Sequence, residues 1–162
     1  MPYPPPSRVP AGPRRRSVLV SAAGAALLTG CSSGAGSGPD SASAVAAARS
    51  RAAGDSRGLL DHYDAVLAAH PGLADRLRPL RAQVAAHVKA FSDGTATPAP
   101  VSPSPVPAVA KDAVAGLAGA ERALADRRAK DLVTAPAEVA RTLASVAAAG
   151  AAHAYLLAEG AK

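Results

Sequence analysis

Residues 139–157 read VARTLASVAAAGAAHAYLL, and in them Val139, Leu143, Val146, Gly150, His153 and Leu157 recur at spacings of 4, 3, 4, 3 and 4. That alternation lays six positions along one face of an α-helix, as in a helix that buries a single stripe against its partners. Two of the six break the apolar rule. Gly150 suits the close approach of a neighbouring helix, and His153 puts an ionisable ring in the seam. Pro136 and Glu138 open this helix after a turn at 134–136, and it is expected to run to Glu159.

The same spacing appears upstream at Leu73, Leu77, Leu80, Val84, His87 and Phe91, so a second helix is expected over 73–91 with His87 facing its seam. Pro79 removes a backbone donor there and predicts a kink, or a late true start after an irregular first turn. Before it, residues 40–70 form a helix with Leu59, Tyr63, Val66 and His70 in line. Asp40, Ser41 or Ser43 can cap its start, and Gly54 and Gly58 weaken it. Pro71 and Gly72 end it, leaving His70 over the last free carbonyls as a structural residue. A further helix over 108–133 begins after Pro107 and carries Val114, Leu117, Glu121 and Leu124 at spacings of 3, 4 and 3. Glu121 is thus a carboxylate in a seam. Arg122, Arg127, Arg128 and Lys130 are read onto the other faces as solvated charge.

Between the second and third helices, residues 92–107 hold Pro98, Pro100, Pro103, Pro105 and Pro107. Such a linker is extended, and at about 3.1 Å per residue it can cover the roughly 30 Å length of a 20-residue helix. The third helix can therefore start at either end of the assembly. No segment shows the β-branched alternation of strands. The fold class is all-α, a four-helix bundle of up-and-down or crossover connectivity, with a thin alanine-rich core.

The residues before the bundle are of another kind. Residues 14–31, RRRSVLVSAAGAALLTGC, join an arginine cluster to a short apolar run and to the single cysteine of the chain. Charge, length and small residues mark a secretory signal peptide over 1–30 rather than a membrane span. Arg15, Arg16, Ser17, Val18 and Leu19 resemble the twin-arginine pattern, with general secretion as the alternative route. Leu28, Thr29, Gly30 and Cys31 resemble a bacterial lipobox. That resemblance implies cleavage before Cys31 and its modification by fatty acyl chains such as palmitate. Each buried methylene contributes about 0.8 kcal/mol, and two or more chains hold a protein stably on a membrane. Lipidation also accounts for an odd cysteine in an exported chain. Residues 31–39 are then a Gly and Ser tether and 40–162 the domain. The tether glycines follow no strand and precede no suitably placed lysine, so they are not a phosphate loop.

Charge is divided in the same way. The chain carries a formal +6, but all twelve acids and only fourteen of the eighteen basic residues follow Cys31, so the mature part is close to neutral at +2. With one Phe, two Tyr and no Trp after Cys31, it lacks the basic stripe and stacking aromatics of a nucleic-acid binder. No Ser elbow, Walker or dinucleotide fingerprint is present. His62 with Asp61 and Asp64 reads as a polar surface cluster.

His87, Glu121 and His153 remain, one in the seam of each of three helices. Buried ionisable groups are costly unless paired or coordinated. Counted from the turns, His87 stands level with Asp55, and Glu121 with His153, to within about 5 Å at 1.5 Å per residue. In these features the chain resembles ferritin-like bundles, including the small ferritin-like domains of actinobacterial lipoproteins. There a Glu comes from each of two helices and a Glu-x-x-His from each of the other two. The resemblance implies His87 and His153 as the two histidines, Glu121 as one carboxylate and Asp55 in place of the other. Val84 and Gly150 stand where the bridging glutamates would be. Two uses of the set are expected: His87, Glu121 and His153 hold a single transition metal (zinc, copper or iron), or they form a buried hydrogen-bond cluster that fixes helix register. No other cofactor is expected.

The functional expectation is a non-enzymatic lipoprotein of the cell envelope. It is held on the extracytoplasmic face of the membrane through lipid on Cys31, and its domain binds or scaffolds an envelope protein or small ligand. The alternative is a degenerate ferritin-like metal-binding or redox protein.

Overall fold

Alanine, leucine and arginine favour helix on both sides of the proline-rich linker, and the chain folds accordingly. In the computed structural model, residues 39–92 and 105–159 are described. They form α1 (Pro39–Ala69), a 3-10 turn (Pro71–Leu73), α2 (Ala74–Phe91), α3 (Ala110–Asp131) and α4 (Ala137–Glu159). The expected signal peptide with Arg15 and Arg16, Cys31, the tether before Pro39 and the 93–104 part of the linker lie outside the described residues. None of the described helices is long and apolar enough to cross a membrane.

The helix ends follow local chemistry. The backbone N–H of His70 donates to Val66 O at 2.8 Å, and Leu73 N–H closes the 3-10 turn on His70 O at 3.0 Å. The 3-10 segment belongs to the Pro71 reversal, and α2 starts at Ala74 and runs through Pro79, whose ring is exposed, so the helix does not start late at that proline. The third helix opens at Ala110 after an extended Val109, and the Pro107 carbonyl just before it accepts from His70 Nε2 at 2.9 Å. Pro136 caps α4 with its carbonyl, which accepts from Val139 N–H at 2.9 Å and Ala140 N–H at 3.0 Å.

The helices pack as two hairpins, α1 with α2 and α3 with α4, joined across α1/α3, α1/α4 and α2/α4. Bonds between the hairpins fix directions. Along α1 from Ser56 to Tyr63, the partner on α3 falls from Arg128 to Glu121, so these helices are antiparallel. Along α2 from Arg76 to Gln83, the partner on α4 falls from Leu157 to His153, so these are antiparallel too. Hence α2 and α3 point the same way, and the chain leaves α2 at one end of the bundle and enters α3 at the other. This is the crossover connectivity, not the plain up-and-down one.

The core has two parts. One, around Tyr63, Val66, Leu77, Val84, Leu117 and Leu157, lies toward the α1/α2 turn. The other, around Ala53, Phe91, Val139, Leu143 and Val146, lies toward the α3/α4 turn. All six seam positions of α4 are buried. On α2 the buried set is Leu77, Leu80, Val84, Val88 and Phe91, with Val88 where His87 was expected. At 3.6 residues per turn the apolar stripe drifts, and Val88 lies as close to its centre as His87 does.

Candidate functional site

The seam of α3 sets Glu121 between the two hairpins, 1% exposed. Its Oε1 accepts the Tyr63 hydroxyl from α1 at 2.9 Å and meets His153 Nδ1 from α4 at 2.9 Å. The far nitrogen of that ring, Nε2, lies 2.9 Å from Gln83 Oε1 on α2. Four helices are thus tied through one buried carboxylate and one buried imidazole. A doubly protonated His153 donates to both oxygens. A neutral ring donates to Glu121 and takes the Gln83 amide turned over, with its NH2 toward Nε2. In either form Nδ1–H points at Glu121.

His87 completes the layer differently from its expected role. It is half-buried, and its ring stacks on His153 with centroids 6.1 Å apart and planes 16° from parallel. Burial first, then the charges of Arg128 and His153, push its imidazole down to about 4 against a smaller upward pull from Glu121. The Tyr63 phenol is driven above its ordinary range by burial, then by the charge of Glu121 and the bond to it, so it stays a donor.

The three proposed metal ligands are therefore close together but turned to other uses. His153 engages Glu121 and Gln83 with its two nitrogens, and His87 lies near-parallel to its ring. Among the described residues, no group of three His, Cys, Asp or Glu is arranged to hold a metal ion. Asp55, the expected fourth member, is exposed and raises the pKa of Arg128 through its charge.

Arg128 is the principal correction to the sequence reading. Arg122, Arg127 and Lys130 are exposed as expected, whereas Arg128 is buried, 2% exposed. Its Nη2 donates to Ser56 Oγ at 2.6 Å and weakly to Ala52 O at 3.5 Å, and its guanidinium carbon lies 6.0 Å from the centre of the Phe91 ring. Burial draws its pKa down, while Asp55 and Glu121 pull it up and Arg127 opposes them. A sequence signal existed: the α3 seam of 114, 117, 121 and 124 continues by four to 128. The α1 seam likewise runs back from 59 to Ser56 and Ala52.

The bundle thus carries two polar layers one heptad apart. Tyr63, Val84, Glu121 and His153 make the first, and Ser56, Phe91, Arg128 and Val146 the second, each helix stepping by seven residues between them. Slipping α1 or α3 by a residue breaks a buried bond in both layers, and buried polar groups of this kind set register.

The expected surface cluster on α1 is also divided. Asp64 pairs with Arg81 of α2 through two bonds, Nε to Oδ1 at 2.6 Å and Nη2 to Oδ2 at 2.9 Å. His62 is half-buried instead, and burial lowers its pKa. Asp61 Oδ2 is buried without a hydrogen-bond partner.

Comparison with known proteins finds no matching family model, no matching curated protein and no matching solved structure.

Proposed function

We propose that the chain is an exported, lipid-anchored protein of the cell envelope whose four-helix domain is a non-enzymatic binding or scaffold module. The observation that carries the non-catalytic part is the mutual pairing of the polar groups in the first layer. Tyr63, Glu121, His153 and Gln83 direct their polar atoms at one another, which gives a rigid body rather than an open reactive centre. Anchoring takes its support from residues 14–31, where an arginine cluster, a short apolar run and the lipobox-like Leu28 to Cys31 follow one another. Cys31→Ala should move the protein from the membrane fraction to the soluble fraction of the envelope. Retention on the membrane after signal removal would sink the anchored reading.

A second reading, a degenerate ferritin-like metal protein, is favoured by the parallel run of α2 and α3 and by the level at which His87, Glu121 and His153 meet. Refolding the full chain with zinc, copper or iron and measuring bound metal tests it. Stoichiometric metal that raises the melting temperature, and is lost in His87→Ala, supports it; no bound metal removes it.

A further inference from the structure

A pocket of about 130 Å³ opens between the first half of α1 and the α3/α4 turn. Arg51, Asp55, Arg128, Asp131, Val139 and Leu143 are among the residues that line it. Arg128 sets its character. Among the described residues no carboxylate is in ion-pair contact with this buried guanidinium, whose bonded neighbours are a hydroxyl and a carbonyl, and its Nε has no hydrogen-bond partner. A buried cation with no carboxylate in contact is costly, and because Arg128 is among the side chains that line the cavity, an anionic group held there offsets part of that cost.

The rest of the lining decides which acceptor. Asp55 and Asp131 repel a polyanion such as phosphate or a dicarboxylate. The lining groups balance at two cations against two carboxylates, with Val139 and Leu143 as an apolar wall. A ligand that satisfies all three carries one negative end, one positive end and a short hydrocarbon part. Size agrees, since a dry cavity of about 150 Å³ accepts benzene, a molecule of about six non-hydrogen atoms, and alanine has as many.

We propose that this pocket binds a small zwitterion of the α-amino-acid class, its carboxylate toward Arg128, its ammonium toward Asp55 and Asp131, and its side chain against Val139 and Leu143. This rests on the binding-module reading and names its ligand class; it does not depend on the fate of Cys31.

The test is calorimetric titration and thermal melting of the full chain, kept in detergent, with alanine, propionate and propylamine as probes. Alanine should bind saturably and raise the melting temperature with concentration. Propionate and propylamine, each offering one charged end, should bind at least about tenfold more weakly. Asp131→Asn, at an exposed position, should weaken alanine about tenfold and leave propionate no weaker, and Arg128→Gln should abolish both. If Arg128→Gln does not fold, Asp131→Asn still decides. Absence of saturable alanine binding up to about 10 mM, propionate matching alanine, or unchanged alanine affinity in Asp131→Asn would each overturn the proposal. Membrane fractionation of Cys31→Ala reads the anchor separately, so failure of one does not imply failure of the other.

Discussion

Gly150 on α4 faces Glu121 on α3 so closely that a Cβ at position 150 would stand 3.3 Å from Glu121 Oε2 and 3.5 Å from Ala125 Cβ. The carboxylate cannot swing aside freely, because its other oxygen is held by Tyr63 and His153. An exchange of glycine for alanine inside a helix ordinarily gains about 1 kcal/mol. Here crowding reverses the sign, and Gly150→Ala should cost about 1 kcal/mol by urea unfolding. In a Glu121→Ala background the same change should stabilise by about 1 kcal/mol. An effect of one sign in both backgrounds would show that the carboxylate is not what Gly150 makes room for.

Tyr63 supplies the hydroxyl donor to that carboxylate while its ring fills the core. Tyr63→Phe keeps the ring and deletes the bond, at an expected cost of about 2 kcal/mol for a bond to a charged group. Tyr155 lies exposed on α4, and Tyr155→Phe should change the urea midpoint by nothing measurable. Equal effects of the two changes would mean that the buried bond adds nothing net.

His87 gives the fold a dependence on pH. Its folded value of about 4 lies below the ordinary 6.5 of an unfolded histidine, so between those limits the unfolded chain binds more protons. Stability contributed by His87 is therefore intact above pH 6.5, falls as pH drops from 6.5 to 4, and is flat below. The ring is only half-buried, and solvent moderates the size of the effect. His87→Phe retains a ring over His153 and removes the titration, so its stability should fall less steeply across that window. Parallel pH profiles for the two proteins would count against the assignment.

The bundle was legible because residue spacing on α4 and α2 needs nothing beyond helix geometry. The seam from Val139 to Leu157 is buried throughout, and the reversals at Pro71 and Pro136 lie where proline chemistry puts them. Glu121 and His153 stood out for the same reason, as ionisable residues in an apolar stripe. Helix direction was not legible, since residues 92–107 can reach either end, and it is set by pairs such as Ser56 with Arg128 that lie far apart in sequence. Arg128 was misread because its charge was weighed before its register. The stacking of His87 on His153 depends on which side of α2 meets α4, and a single helix pattern does not contain that.

Arg128 and Ser56 separate what the second polar layer does for stability from what it does for binding. Ser56 Oγ accepts from Arg128 Nη2 at 2.6 Å and donates to Ala52 O at 2.8 Å. Ser56→Ala leaves a buried guanidinium with its best acceptor gone and should cost about 1.5–3 kcal/mol. Arg128→Met removes the charge and the unpartnered Nε, keeps comparable bulk beside Phe91, and leaves the Ser56 hydroxyl bonded to Ala52. Replacing a poorly compensated buried charge with an apolar side chain is neutral or stabilising, by up to about 2 kcal/mol here. The double variant should recover most of what Ser56→Ala loses, since the group that needed the hydroxyl is absent. Urea unfolding of the three proteins checks the order. If Arg128→Met is the most damaging of them, the guanidinium is a structural clamp in its own right. The expected order instead makes Arg128 a residue kept at some expense in stability, as a binding group often is.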